Sequence, residues 1–147
     1  VCTRPLLLVM ELVPHGSLCA LLGELRAGRL QLPWTLRLRI AEDVTAALLF
    51  LHGRSPPTVH HDLKSPNVLV ASLDDRAPVV AKVADMGTAR AIAPTCGERL
   101  VDNPFWLAPE IMRASHRRCH SRSRRPGIGH DHRCDIYSLG VILWELV

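Results

Sequence analysis

The run His60-His61-Asp62-Leu63-Lys64-Ser65-Pro66-Asn67, followed at once by Val68-Leu69-Val70, constrains this chain more than any other feature. It sets a carboxylate, an ammonium and an amide on one short loop, two and then three residues apart. The apolar run after them reads as a strand, and the β-branched pair Thr58-Val59 leads the chain, extended, into the loop. A fold that uses this loop must hold three polar groups beside a strand end, over a core supplied from elsewhere in the chain.

The periodicity supplies candidates for that core. Leu6 to Met10 is a short apolar run consistent with a buried strand, broken by Pro14-His15-Gly16. Ser17 suits the N-cap of a helix running toward Gly28, a C-terminal capping residue. After Pro33, Leu36, Ile40, Val44, Ala47, Leu48 and Leu51 fall at helical spacing on one face. That helix should end near Gly53, because Pro56-Pro57 cannot continue it. Val68 to Ala71 and Val79 to Val83 read as a hairpin-like pair joined through Asp74-Asp75-Arg76-Ala77-Pro78.

Several motifs in order carry a resemblance. The loop resembles the catalytic loop of the protein kinases with one letter changed. Val83-Ala84-Asp85-Met86-Gly87 is similar to their Asp-Phe-Gly motif, and Trp106-Leu107-Ala108-Pro109-Glu110 to the Ala-Pro-Glu that closes the activation segment. Leu6 to Leu18 resembles the last small-lobe strand running into the hinge, and Asp135 to Leu146 the central helix of the large lobe. The wording is most similar to the tyrosine-kinase-like group, which phosphorylates mainly serine and threonine.

The resemblance implies an α+β, protein-kinase-like fold. Residues 1–16 would be the last small-lobe strand and hinge, and 17–147 a mostly helical large lobe with a basic insert at about 113–133. At 147 residues the chain is too short for both lobes, so it is expected to be a partial kinase domain lacking the small lobe and the C-terminal helices. In isolation it is expected to be inactive and poorly soluble.

It also implies site residues. Asp62 is the catalytic base, and Lys64 neutralises charge on the moving phosphoryl group and favours serine or threonine acceptors. Asn67 and Asp85 bind Mg²⁺. For ATP, the backbone of Glu11 and Val13 offers hydrogen bonds to adenine, Met10 guards the back of the pocket and Leu69 lies beneath the ring. The implied partners are ATP and a protein hydroxyl. A scaffold of the same fold without catalysis is the alternative, and retention of all four polar catalytic residues favours the enzyme.

Departures from the family pattern carry expectations of their own. His61 replaces the arginine that commonly grips an activation-segment phosphate, so activation should depend little on phosphorylation of Thr88 or Thr95. Met86 replaces phenylalanine and should preserve an apolar contact. His60 should pack internally. Asp102 and Asn103 depart from the usual glycine and threonine, and Glu110 should lack its usual arginine partner.

Composition narrows the alternatives. The net charge of +4 is concentrated between Arg113 and Arg133, which holds seven arginines and one acid; the remainder has 11 basic and 13 acidic residues. Without interleaved aromatics this basic stretch reads as a solvated, largely disordered insert, and no nucleic-acid partner is expected. His116, Cys119, His120, His130, His132 and Cys134 do not match the spacing of common zinc sites. Five scattered cysteines suit reduced thiols. No apolar run is long enough to cross a membrane, and a cytoplasmic location is expected.

Overall fold

The computed structural model describes residues 9–91, 104–113 and 131–147. Within them, helices and two short antiparallel strand pairs form the mixed α+β architecture expected of a partial kinase-like fold.

Helix α1, Leu18–Arg26, begins where the Ser17 side chain accepts the Ala20 N–H at 3.3 Å. It ends at Gly28, whose φ of +70° lies in the left-handed region open to glycine. There the N–H groups of Gly28 and Arg29 donate to Leu25 O and Glu24 O, both at 3.0 Å, closing the last turn with a Schellman pair. Helix α2, Trp34–His52, buries Leu36, Ile40, Val44, Leu48 and Leu51 along one stripe, with Ala47 half-buried beside them. Its cap is Gly53, as the sequence predicts; a Cβ there would lie 2.9 Å from Leu49 O.

The strand β1, Thr58–Val59, pairs with β4, Arg90–Ala91; β2, Val68–Val70, pairs with β3, Ala81–Val83. Val68, Val70, Val80 and Ala81 enter the core against α1 and α2. Asp43 on α2 fixes the β2–β3 hairpin in place, because its Oδ2 accepts the N–H groups of Val80 and Ala81 at 2.7 and 2.9 Å. Leu69 and Lys82 form the opposed pair whose side chains leave the other face.

Helix α3, Arg133–Leu146, completes the core with Leu139, Ile142 and Leu146. Arg37 joins the start of α2 to its end, donating to Leu146 O at 2.6 Å and Val147 O at 2.9 Å. A second, smaller cluster of Val59, Leu107, Ala108, Ile111 and Cys134 connects β1, α3 and the helical segment at 109–113. Cutting Ile40, fully buried at the centre of α2, to alanine would cost about 2–5 kcal/mol.

One expected element falls mostly outside the described residues. Of the strand expected at Leu6 to Met10, residues 6–8 lie outside the described residues, while Val9 and Met10 form no strand and are exposed. Among the described residues no strand lies beside them to complete a ladder or cover their side chains. The basic stretch 113–133 lies outside the described residues except for Arg113 and 131–133. No helix among the described residues is long and apolar enough to cross a membrane.

Candidate active site

The loop at 60–67 takes its shape from a carboxylate far along the chain. Asp135, on the buried face of α3, accepts the backbone N–H of His60 through Oδ2 at 2.8 Å and that of His61 through Oδ1 at 2.9 Å. Its Oδ2 also lies 2.9 Å from His52 Nε2, at the end of α2. Two successive N–H groups can face one anion because His61 adopts a φ of +66°, a conformation uncommon for a residue with a Cβ. Such a residue costs about 1–3 kcal/mol and persists only where its surroundings enforce it. The shared carboxylate does so here.

His60 packs internally, as expected, with no exposed surface. Its Nδ1 accepts the Asp62 N–H at 3.2 Å and its Nε2 lies 3.0 Å from Ala84 O. The tautomer protonated on Nε2 satisfies both partners, an assignment made from the hydrogen-bond network. The ring thereby connects the loop to the residue before Asp85.

Three of the expected polar residues converge. Lys64 Nζ lies 2.8 Å from Asp62 Oδ2. Asn67 Nδ2 donates to Asp62 O at 2.8 Å and to Asp62 Oδ2 at 3.0 Å. With both amide hydrogens committed, Asn67 presents Oδ1 as its remaining polar atom. The fourth residue is brought alongside through the backbone, where the Ala84 N–H donates to Asn67 O at 2.8 Å. Asp85 is exposed, left-handed at φ +61°, and held locally by the Gly87 N–H at 3.3 Å from Oδ1. An amide oxygen and an exposed carboxylate are hard donors of the kind Mg²⁺ takes, so the residues present fit that ion.

The segment expected to meet adenine leads into residues that pair with the free edge of β2. Val70 N–H donates to Gly16 O at 2.8 Å and His15 N–H to Val70 O at 3.2 Å. Lys82, opposite Leu69, reaches Glu11 Oε1 at 2.6 Å and Oε2 at 2.8 Å. Leu69 and Val13 are half-buried, Glu11 is exposed, and Met10 is exposed by 60%. Glu11 is thus brought to Lys82, the residue opposite Leu69, whereas Met10 is not enclosed by the described residues.

The other expected residues have mixed outcomes. The apolar contact expected of Met86 is incomplete, since the side chain is 44% exposed with little over it among the described residues. His61 is buried, with Nδ1 3.9 Å from Cys134 Sγ. Glu110 is exposed. Thr95, Asp102 and Asn103 lie outside the described residues, as do His116, Cys119, His120 and His130. Among the described residues no group of three or more histidines, cysteines or acids could hold a metal.

Two important residues escape a reading of local motifs. Asp135 anchors the loop, and Glu145 receives Ser65 Oγ and Trp106 Nε1, each at 2.9 Å. Asp135 is the one charged residue on a buried stripe of α3 that also carries Cys134, Ser138, Leu139, Ile142 and Leu146, and that is the signal that could have identified it. Nothing in the spacing of Glu145 points to its partners.

Comparison with known proteins agrees with this geometry. The family model described as protein tyrosine and serine/threonine kinase matches residues 1–147. The chain is 39% identical over 146 residues to a probable serine/threonine-protein kinase, pats1, of Dictyostelium discoideum, covering 99% of this chain and 4% of that protein. It is 40% identical over 148 residues to the serine/threonine-protein kinase CTR1 of Arabidopsis thaliana, covering 98% of this chain and 16% of that protein. It is also 36% identical over 146 residues to the cyclic GMP-binding protein C of Dictyostelium discoideum, covering 99% of this chain and 5% of that protein. The chain spans only a small fraction of each relative. Its full-length match to the family model and the ordered motifs around Asp62 and Asp85 lead to one conclusion: the chain belongs to the protein kinase family.

Proposed function

We propose that this chain is the catalytic portion of a larger ATP-dependent protein serine/threonine kinase. The observation that carries the proposal is the convergence of Asp62, Lys64 and Asn67 on one another, with Ala84, the residue before Asp85, tied to Asn67. Asp62 orients the acceptor hydroxyl and takes its proton as the new P–O bond forms and the bond to the departing ADP breaks. Lys64 supplies positive charge beside that carboxylate, where negative charge accumulates on the moving phosphoryl group. Asn67 Oδ1 and Asp85 would hold Mg²⁺, which supplies charge neutralisation on the nucleotide phosphates when bound. Glu11 and Val13 would meet adenine through their backbones, with Leu69 beneath the ring and Met10 behind it.

Support for serine and threonine over tyrosine comes from Lys64 in the loop and from relatives named as serine/threonine kinases. The test is phosphoamino-acid analysis after incubating the full-length protein with Mg·ATP and a mixed protein substrate. Phosphoserine and phosphothreonine are expected. Phosphotyrosine as the main product would overturn the acceptor assignment, and absence of transfer would favour the scaffold alternative.

A further inference from the structure

The side chain of Glu11 crosses to the β2–β3 hairpin and ends on one cation. Lys82 Nζ donates to Glu11 Oε1 at 2.6 Å and to Oε2 at 2.8 Å, so both carboxylate oxygens are engaged. Lys82 stands opposite Leu69 in the ladder, and directly opposed residues send their side chains to the same face. Among the described residues no other hydrogen bond or ion pair joins residues 9–12 to the rest of the chain.

Further along, the chain is fixed again, this time to β2. His15 N–H donates to Val70 O at 3.2 Å, Gly16 O accepts the Val70 N–H at 2.8 Å, and Ser17 continues the pairing opposite Leu69. Gly16 takes a φ of +69°, the left-handed conformation that lets the chain turn from this edge into α1. Between the two attachments lie Leu12, Val13 and Pro14, the last with its φ fixed by the ring. The stretch 11–15 is therefore held at one end by a side chain on β3 and at the other by the backbone of β2. The backbones of Glu11 and Val13, proposed above to meet adenine, both belong to it. Lys82 also lies two residues before Ala84, whose N–H donates to Asn67 O, so one run of chain carries the ties to Glu11 and to Asn67.

A binding segment that is already ordered loses less conformational freedom on meeting its ligand. We propose that Lys82 and Glu11 are a positioning pair for the nucleobase: their ion pair pre-orders residues 11–13, and adenine binds more tightly as a result. The proposal deepens the phosphotransfer reading and rests on its assignment of Glu11 and Val13 to adenine. An exposed ion pair is a weak constraint that salt screens, so its effect is graded, about two- to fivefold in affinity. Because both side chains reach solvent, neutralising either one leaves no buried group unpaired.

The experiment measures dissociation constants for adenosine and for Mg·tripolyphosphate by calorimetry in the full-length protein and in its Glu11→Gln, Lys82→Met and Lys82→Arg variants. Glu11→Gln and Lys82→Met should each weaken adenosine binding by about two- to fivefold and leave Mg·tripolyphosphate within about 1.5-fold, a selectivity that general loosening of the fold would not produce. Lys82→Arg keeps the charge and can engage both carboxylate oxygens, so it should bind adenosine within about 1.5-fold of wild type. Adenosine is uncharged, so screening of charges can act on its binding only through the protein: raising NaCl from about 0.05 to about 0.5 M should weaken it in wild type relative to Glu11→Gln. Amide exchange at Gly16, whose N–H donates to Val13 O, should be faster in both neutralised variants. Unchanged adenosine affinity in either neutralised variant, equal losses for both ligands, or an arginine variant as weak as the methionine one would overturn the proposal. A wild-type protein that binds no adenosine would instead refute the assignment of Glu11 and Val13 to adenine. Exchange at Gly16 would then decide whether Lys82 orders the segment at all, and unchanged exchange would show that it does not.

Discussion

The loop at 60–67 and the segment at 9–13 invert the usual rule of burial. His60, His61, Ser65 and Asn67 are polar and buried, whereas Val9, Met10 and Leu12 are apolar and exposed, Leu12 by 90%. Polarity alone decides neither case. The loop can be buried because α3 and Ala84 supply partners for its polar groups, and no buried side-chain nitrogen or oxygen among the described residues lacks a hydrogen bond. The 9–13 segment has an ion pair from Glu11 to Lys82, and the backbone contacts at His15 and Gly16 follow it. The 60–67 loop is therefore organised by long-range hydrogen bonds to α3, and the 9–13 segment by an exposed ion pair to Lys82.

The sharpest way to break this contrast is Asp135→Ala. Two buried backbone N–H groups and His52 lose their shared acceptor, and His61 loses the contact that enforces its positive φ. A loss of about 2–6 kcal/mol is expected, about 1–3 for each buried N–H left without an acceptor. Chemical denaturation would show it as a large drop in midpoint, and a wild-type midpoint would mean that the loop is held by something else. Lys82→Ala should do much less. Its partner Glu11 has a side chain 66% exposed, so the change should cost about 0–1 kcal/mol. A larger loss by the same measurement would show that the 9–13 segment is more firmly built than its exposure implies.

Much of this arrangement could be read from the sequence, for a physical reason. Ser17, Gly28 and Gly53 act through local backbone geometry, and Leu36, Ile40, Val44 and Leu48 through the period of a helix, so both signals lie within a few neighbouring residues. The Asp62–Lys64–Asn67 cluster is equally local. Asp135 and Glu145 act on partners 75 and 80 positions away, and one of the principal targets is backbone, which has no sequence identity to recognise. The exposure of Leu12 was similarly illegible, because an apolar residue does not reveal whether a covering surface lies beside it.

On the proposed function, Asp62 belongs to the transfer chemistry and Asp85 to the metal and nucleotide. The most direct test measures turnover and Mg·ATP affinity side by side for Asp62→Asn and Asp85→Asn in the full-length protein. Asp62→Asn should lower turnover by about 10²–10⁴-fold, the range for a positioned general base, and leave Mg·ATP affinity within about threefold. Asp85→Asn should weaken Mg·ATP binding as well as turnover, because Asp85 is an exposed carboxylate, held among the described residues by a local hydrogen bond from Gly87, and can serve the cation. Wild-type turnover in Asp62→Asn, or unchanged Mg·ATP affinity in Asp85→Asn, would contradict the division of roles.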